Sequence, residues 1–261
     1  MTNYGKIDVL WYDVDWPLTA EQWEAQKMND MVFQLQPDII VNNRNGLPGD
    51  FSTPEQEIRA ATKGRAWEAC MTLNDSWGYH KADSNWKTPA TVVNNLINCA
   101  HGGGNYLLNI GPKPDGSIPQ ESIDILQSVG KWTHQNGEAI YGTSAWKQPY
   151  QWSEGKQPQK SDKSFMAGYD IAKLIKPKQN EAHIEYFFTK KGDDLYCIVP
   201  TYTPQVRIHD LKISATTKAT VLGGKTFSCK QDGNDCVIDL SNAEPGEIPA
   251  EMFVVKVSGV E

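Results

Sequence analysis

The sequence has 261 residues, 39% of them hydrophobic and 10% aromatic, which is material for one large domain or two ordinary ones with a sizeable core. A formal charge of −7 argues against nucleic acid and anionic membranes as partners. No stretch reaches the roughly 20 apolar residues of a membrane span.

Taken in order, Asp8-Val9-Leu10-Trp11-Tyr12-Asp13 is an apolar run of strand length that breaks into Asp13, Asp15, Trp16 and Pro17. Thr19-Ala20-Glu21-Gln22 is a capping-box pattern, and Met28, Met31, Val32 and Leu35 recur at helical spacing, so a helix of about four turns is expected up to Pro37. Asp38–Asn42 reads as the next buried strand, ending in Asn42, Asn43 and Arg44. A Gly- and Pro-rich loop then carries Phe51, Thr53, Pro54, Glu55 and Glu57. Trp67–Thr72 is the third strand, followed by Asn74-Asp75-Ser76-Trp77-Gly78-Tyr79.

Thr88-Pro89 opens a helix with apolar positions Val92, Val93, Leu96, Ile97 and Ala100, and Gly102–Gly104 stop it. Asn105–Ile110 is the fourth strand. Pro119 opens a last helix with Ile123, Leu126, Val129 and Trp132 facing inward. This alternation is the rhythm of βα units on a parallel sheet, with polar residues gathered at the carboxyl end of each strand. Four such units amount to half of a (β/α)8-type barrel. From about Trp146 the texture changes, and short alternating runs between residues 182 and 257 are expected to form an antiparallel β-sandwich. The expected division is therefore 1–145, a partial α/β barrel, and 146–261, a sandwich with an accessory or packing role.

The opening Met1–Lys6 leads into no apolar signal-peptide core, and the compartment is left open. Five cysteines are odd in number and lie at no zinc-site spacing. Cys70 and Cys99 read as core residues, and a Cys229–Cys236 hairpin bridge is an open alternative. The five histidines show no ligand spacing, and no Ser-His-Asp or Gly-x-Ser-x-Gly arrangement occurs, so neither metal nor cofactor is expected.

Two carboxylates stand out by position, Asp13 after the first strand and Glu55 after the second. Such a pair suits glycoside hydrolysis, where one group attacks the anomeric carbon and the other passes a proton; in retaining enzymes they stand ~5–5.5 Å apart. Arg44 would hold a sugar oxygen or keep Asp13 ionised. The plainer alternatives are a turn-forming Asp13, solvated Glu55 and Glu57, and a structural ion pair for Arg44.

Several segments together resemble the α-L-fucosidases of glycoside hydrolase family 29: Tyr4–Asp13, Asp50–Glu55, Trp67-Glu68 with Ser76–Tyr79, Gly103–Pro112 and Asn136–Thr143. The resemblance covers roughly residues 4 to 143 and implies Asp13 as nucleophile and Glu55 as acid/base, with Glu57 as fallback. It also implies sugar contacts at Trp11, Arg44 and Trp77, and fucosylated glycans or small fucosides as ligands. The family carries a further segment ahead of this point, with a His-rich stretch that grips the fucose hydroxyls. Its absence from this sequence implies exposed half-barrel edges and self-association into a homo-oligomer that covers them. The alternative is a catalytically silent remnant that binds glycans or pairs with another subunit; a third reading is a piece of a longer enzyme.

Overall fold

The computed structural model describes residues 1–14, 16–60, 64–157, 172–176 and 180–260. Its first part is a run of parallel strands backed by helices. Strand β1 (Val9–Leu10) pairs with β2 (Ile40–Val41), and β3 (Phe51–Ser52), β4 (Ala66–Thr72) and β5 (Asn105–Asn109) pair in that order, all parallel. A bridge between Asn42 and Phe51 joins the two groups into the order β1-β2-β3-β4-β5. The four expected strands are all present, and β3 is an addition. The Gly/Pro-rich segment read as a loop dips into the sheet because Asp50 mimics a strand residue: its N–H donates to the Val41 carbonyl and its carboxylate accepts the Val41 N–H, both at 2.7 Å.

Helix α1 (Ala25–Leu35) starts later than its capping box suggests. Both capping-box bonds form, Gln22 N–H to Thr19 Oγ1 and Thr19 N–H to Gln22 Oε1. They close a separate turn, because Glu24 adopts a left-handed φ of 50° and interrupts the helix. The interruption rotates the helix, so Ala25, Asn29 and Val32 are buried while Met31 and Leu35 face solvent. Helix α2 (Pro89–His101) follows expectation, with Thr88 Oγ1 accepting the Thr91 N–H. Gly104 is needed at its end, since a Cβ there would collide with the Trp67 ring. In α3 (Gln120–Asn136) Ile125 is buried in place of the expected Leu126, which is exposed.

The helices cover one face of the parallel strands. Leu10 and Val41 pack with Val32 of α1, and Tyr106 and Leu108 with Val92 of α2 and Ile125 of α3. Among the described residues nothing covers the opposite face: Val9, Ile40 and Leu107 are 48%, 44% and 42% exposed there. Among the described residues nothing pairs with the outer edge of β1 or of β5, so the strands form an open sheet.

The second part is antiparallel. After a turn of 3-10 helix at Gly137–Ala139 come β6 (Ser144–Trp152), β7 (Ile184–Lys191), β8 (Asp194–Thr201), β9 (Gln205–Ile208), β10 (Lys218–Val221), β11 (Thr226–Phe227), β12 (Cys229–Asp232), β13 (Asp235–Asp239) and β14 (Glu251–Ser258). They form a six-stranded sheet, β11-β10-β14-β8-β7-β6, and a three-stranded one, β12-β13-β9. Phe188, Leu195, Cys197 and Val255 of the larger sheet meet Val206, Ile208, Cys236 and Ile238 of the smaller in one core, the arrangement of a β-sandwich. All five cysteines are free. Cys229 stands opposite Ile238 and Cys236 opposite Gln231, so the two are diagonal neighbours across the hairpin, and both are thiols. Much of the turn-rich stretch before β7 (158–171, 177–179) lies outside the described residues.

The outer face of the six-stranded sheet is not solvated. Phe187, Tyr196, Ile198 and Val254 share a core with Val93 and Ile97 of α2 and with Val129 and Trp132 of α3. Trp132 Nε1 donates to the Met252 carbonyl at 2.7 Å and Gln135 to the Leu222 carbonyl at 3.0 Å. Lys256 bridges Glu138 and Asp194. The sandwich is thus packed onto the helical layer through an apolar seam.

His101, at the end of α2, lies in this seam against the Phe187 ring at 5.0 Å. Burial pushes its pKa down to about 4. The unfolded chain takes up this proton near 6.5 and the folded one only near 4, so stability present above pH 6.5 falls as pH drops through that window. The loss approaches about 3 kcal/mol. Urea midpoints at pH 7 and 4.5 should differ more for the wild type than for His101→Phe; equal differences would refute the assignment.

Candidate active site

The groups singled out in the sequence meet at the carboxyl ends of the parallel strands. Asp13 follows β1, Arg44 follows β2, and Glu55 follows β3 and bridges Cys70 of β4. One guanidinium nitrogen, Arg44 Nη1, donates to Asp13 Oδ1 at 3.0 Å and to Glu55 Oε2 at 2.6 Å. Those two oxygens are therefore at most about 5.6 Å apart, the two bonds laid end to end. The Arg44 side chain is 12% exposed, Glu55 20% and Asp13 59%, so the cluster is rooted in the protein and opens to solvent on the Asp13 side. Burial opposes the Arg44 charge, but the hydrogen bonds it donates to its two carboxylate partners outweigh it and raise the pKa above the usual value.

The rest of the Arg44 fork is also fixed. Its Nε donates to Thr53 Oγ1 at 2.9 Å and Nη2 to the Thr53 carbonyl at 3.1 Å, while Asn43 Oδ1 accepts from both the N–H and the hydroxyl of Thr53. A planar donor fork held along two edges cannot rotate freely, which sets the direction in which Nη1 points. Glu55 is pinned by the exchange of backbone bonds between Pro54, Gln56 and Cys70. Arg65 clamps the segment ahead of it, bonding Ser52 Oγ and the carbonyls of Pro48 and Gly49. Asn43, Thr53 and Arg65 carry no site role in the sequence pattern. Their only signal was polarity next to the strand ends.

Trp11 joins the cluster, its ring centroid 5.3 Å from the Arg44 guanidinium carbon and 5.9 Å from the Phe51 ring. Trp77 lies in the loop after β4, on the same edge of the sheet and 38% exposed. Among the described residues no hydrogen bond or ring contact links it to Asp13, Arg44 or Glu55. Glu57 is paired with Arg59 at 3.1 Å instead of with Arg44.

Two further groups occupy the bare face beneath the cluster. Burial raises the pKa of Glu68 on β4, so this carboxyl holds its proton to higher pH than an ordinary glutamate. Cys70, read from sequence as core, is half-buried on the same face; its thiol is pushed up to about 11, mainly by burial, so it stays protonated at neutral pH. Among the described residues no group of three or more His, Cys, Asp or Glu is arranged to hold a metal ion, and no helix is long and apolar enough to cross a membrane.

Chemically, this is a carboxylate open to solvent beside a sheltered carboxylate, with one cation between them and an aromatic face alongside. A family model described as Alpha-L-fucosidase matches residues 1–138, more than half of the chain. The chain belongs to the alpha-L-fucosidase family. The human tissue alpha-L-fucosidase is 27% identical to this family member over 279 residues, covering 100% of this chain and 53% of the human protein. The Dictyostelium discoideum alpha-L-fucosidase is 28% identical over 158 residues, 56% of this chain and 34% of that protein. Among solved structures, alpha-L-fucosidase isoenzyme 1 from Paenibacillus thiaminolyticus superposes with a TM-score of 0.73 at 30% identity, covering 100% of this chain and 59% of that one. The Thermotoga maritima alpha-fucosidase in complex with fucose gives 0.66 at 26% identity, over 96% of this chain and 52% of that chain. This family member thus spans about half the length of the full-chain curated relatives it matches.

Proposed function

We propose that the chain is a retaining exo-α-L-fucosidase acting on terminal fucose of glycans or small fucosides, with residues 1–145 as its catalytic unit and 146–261 as the packed sandwich. The observation that carries this reading is the single Arg44 nitrogen shared by Asp13 and Glu55. It keeps the two oxygens no more than about 5.6 Å apart, a bound that admits the ~5–5.5 Å of double-displacement glycosidases. Asp13, the more exposed partner, attacks the anomeric carbon as the glycosidic C–O bond breaks, and Glu55 gives its proton to the departing oxygen. Water then displaces Asp13, with Glu55 taking the water's proton, and fucose leaves with its original configuration. Arg44 holds both carboxylates in the free site, while Trp11 and Trp77 offer apolar faces to the sugar.

The test is hydrolysis of an aryl α-L-fucoside followed by NMR of the first-formed anomer. Turnover with retention is expected. Glu55→Gln should slow a poor leaving group by about 10²–10⁴-fold and an activated aryl group much less, because only the former needs a proton. Folded wild-type protein that binds fucose without turning it over would overturn the enzymatic reading. The same leaving-group signature at Glu68→Gln instead of Glu55→Gln would move the acid/base to the half-buried carboxyl of β4.

The bare sheet face and the free edges of β1 and β5 support the further proposal that two copies associate. Both edges run the same way in one sheet, so one copy's β1 edge suits the other's β5 edge. Light scattering should give a species heavier than the 29.2 kDa chain, and Leu107→Lys, on the exposed face, should shift it to monomer. A monodisperse wild-type monomer at micromolar concentration would rule this assembly out.

A further inference from the structure

The ladder between β1 and β2 stops at Leu10 and Val41, followed only by a long 3.4 Å bond from the Asn42 N–H to the Leu10 carbonyl. Asp13 stands beyond it, and Val14 turns away at a left-handed φ of 63°. Strand pairing therefore does not fix the backbone that carries Asp13. The Asn42 side chain does so. Its Oδ1 accepts the Tyr12 N–H at 2.8 Å, and its Nδ2 donates to the Tyr12 carbonyl at 2.9 Å. The amide reproduces the donor–acceptor pair of a strand residue and carries the ladder one residue further, up to the neighbour of Asp13.

Asn42 can do this because it cannot move. It is fully buried. Gly49 passes so close to its carbonyl that a Cβ there would overlap it, and Asp50 holds the adjacent Val41 through both backbone groups. We infer that Asn42 is a positioning residue that sets where Asp13 stands relative to Glu55 and Arg44. The inference deepens the fucosidase reading, and its kinetic part rests on that reading. A short carboxamide is required. Aspartate lacks the donor and would set its charge against the Tyr12 carbonyl, alanine offers neither group, and glutamine is one methylene too long for this spacing.

The experiment compares Asn42→Ala and Asn42→Asp with wild type on an aryl α-L-fucoside, with rates expressed per active site titrated by a fluorinated donor that traps the fucosyl-enzyme. A kcat lower by about a hundredfold is expected, since misplacing a reacting group by about 1 Å costs that much. KM should stay within about threefold, because Arg44 and Trp11 remain in place. The decisive arm repeats Asn42→Ala in an Asp13→Gly background supplied with azide, with rates expressed per mole of folded protein because the covalent trap needs Asp13. An external nucleophile does not depend on Tyr12, so there the substitution should change the rate by less than about threefold. Equal losses in both backgrounds would overturn the inference and make Asn42 a general fold residue. Inert wild-type protein would count against the fucosidase reading, and amide exchange then judges Asn42 by itself. In Asn42→Ala, exchange at the Tyr12 amide should accelerate at least about tenfold with Val41 unchanged; an unchanged rate, or a uniform increase along β2, would refute it.

Discussion

Asp13→Gly is expected to lower turnover of an aryl α-L-fucoside by about 10⁴-fold or more, and added azide to restore part of the rate. In the proposed mechanism the carboxylate forms the bond to the anomeric carbon, and the glycine leaves a space open to solvent, since Asp13 is the most exposed member of the cluster. Azide enters there, forming a C–N bond as the aryl oxide departs. Because a single displacement replaces two, the fucosyl azide should have inverted configuration. Restored rate with a retained azide would place the nucleophile elsewhere, and an unaltered wild-type rate would remove Asp13 from the mechanism. The same substitution leaves Arg44 bonded to Glu55 and Thr53, so its expected effect on stability is small beside its effect on rate.

The largest expected effect on stability lies far from the site. Phe187 is fully buried in the seam between α2 and the six-stranded sheet. Truncating it to alanine should cost about 3–5 kcal/mol, the range for a large aromatic side chain removed from a core that cannot collapse around the gap. Both sides of the seam lose contacts, so urea unfolding followed by tryptophan fluorescence and by far-UV circular dichroism should shift to lower midpoints together. Were only one signal to move, the parallel and antiparallel parts would be separate folding units and the seam a surface contact.

The strands of the first part were legible because each is an apolar run, with β-forming residues such as Val9, Ile40 and Trp67, closed by polar groups. Strand β3 was not. Phe51-Ser52 sits between Gly49 and Thr53 in a segment rich in turn formers, and it pairs only because Asp50 and the tight Gly49 approach fasten it to β2. The rotation of α1 was hidden for a related reason: periodicity fixes a helical face only if the helix is unbroken, and Glu24 breaks it. Asp13, Arg44 and Glu55 could be paired from sequence by their places at the strand ends. What sequence did not carry is the sharing of one nitrogen, which depends on Thr53 and Asn43 turning the guanidinium. Asn42 was visible only as a polar strand terminus, since a side chain that stands in for backbone leaves no periodic trace.

The uniform direction of β1 to β5 limits how copies can combine. Only a twofold axis running along the strands lets both free edges pair in the parallel sense at once, closing ten strands into a cylinder. All carboxyl ends would then surround one mouth, with two Asp13–Arg44–Glu55 sets facing each other across it. A bulky glycan seated on one set would obstruct its twin, so such a pair would saturate at one large ligand per two chains while still taking one free monosaccharide per chain.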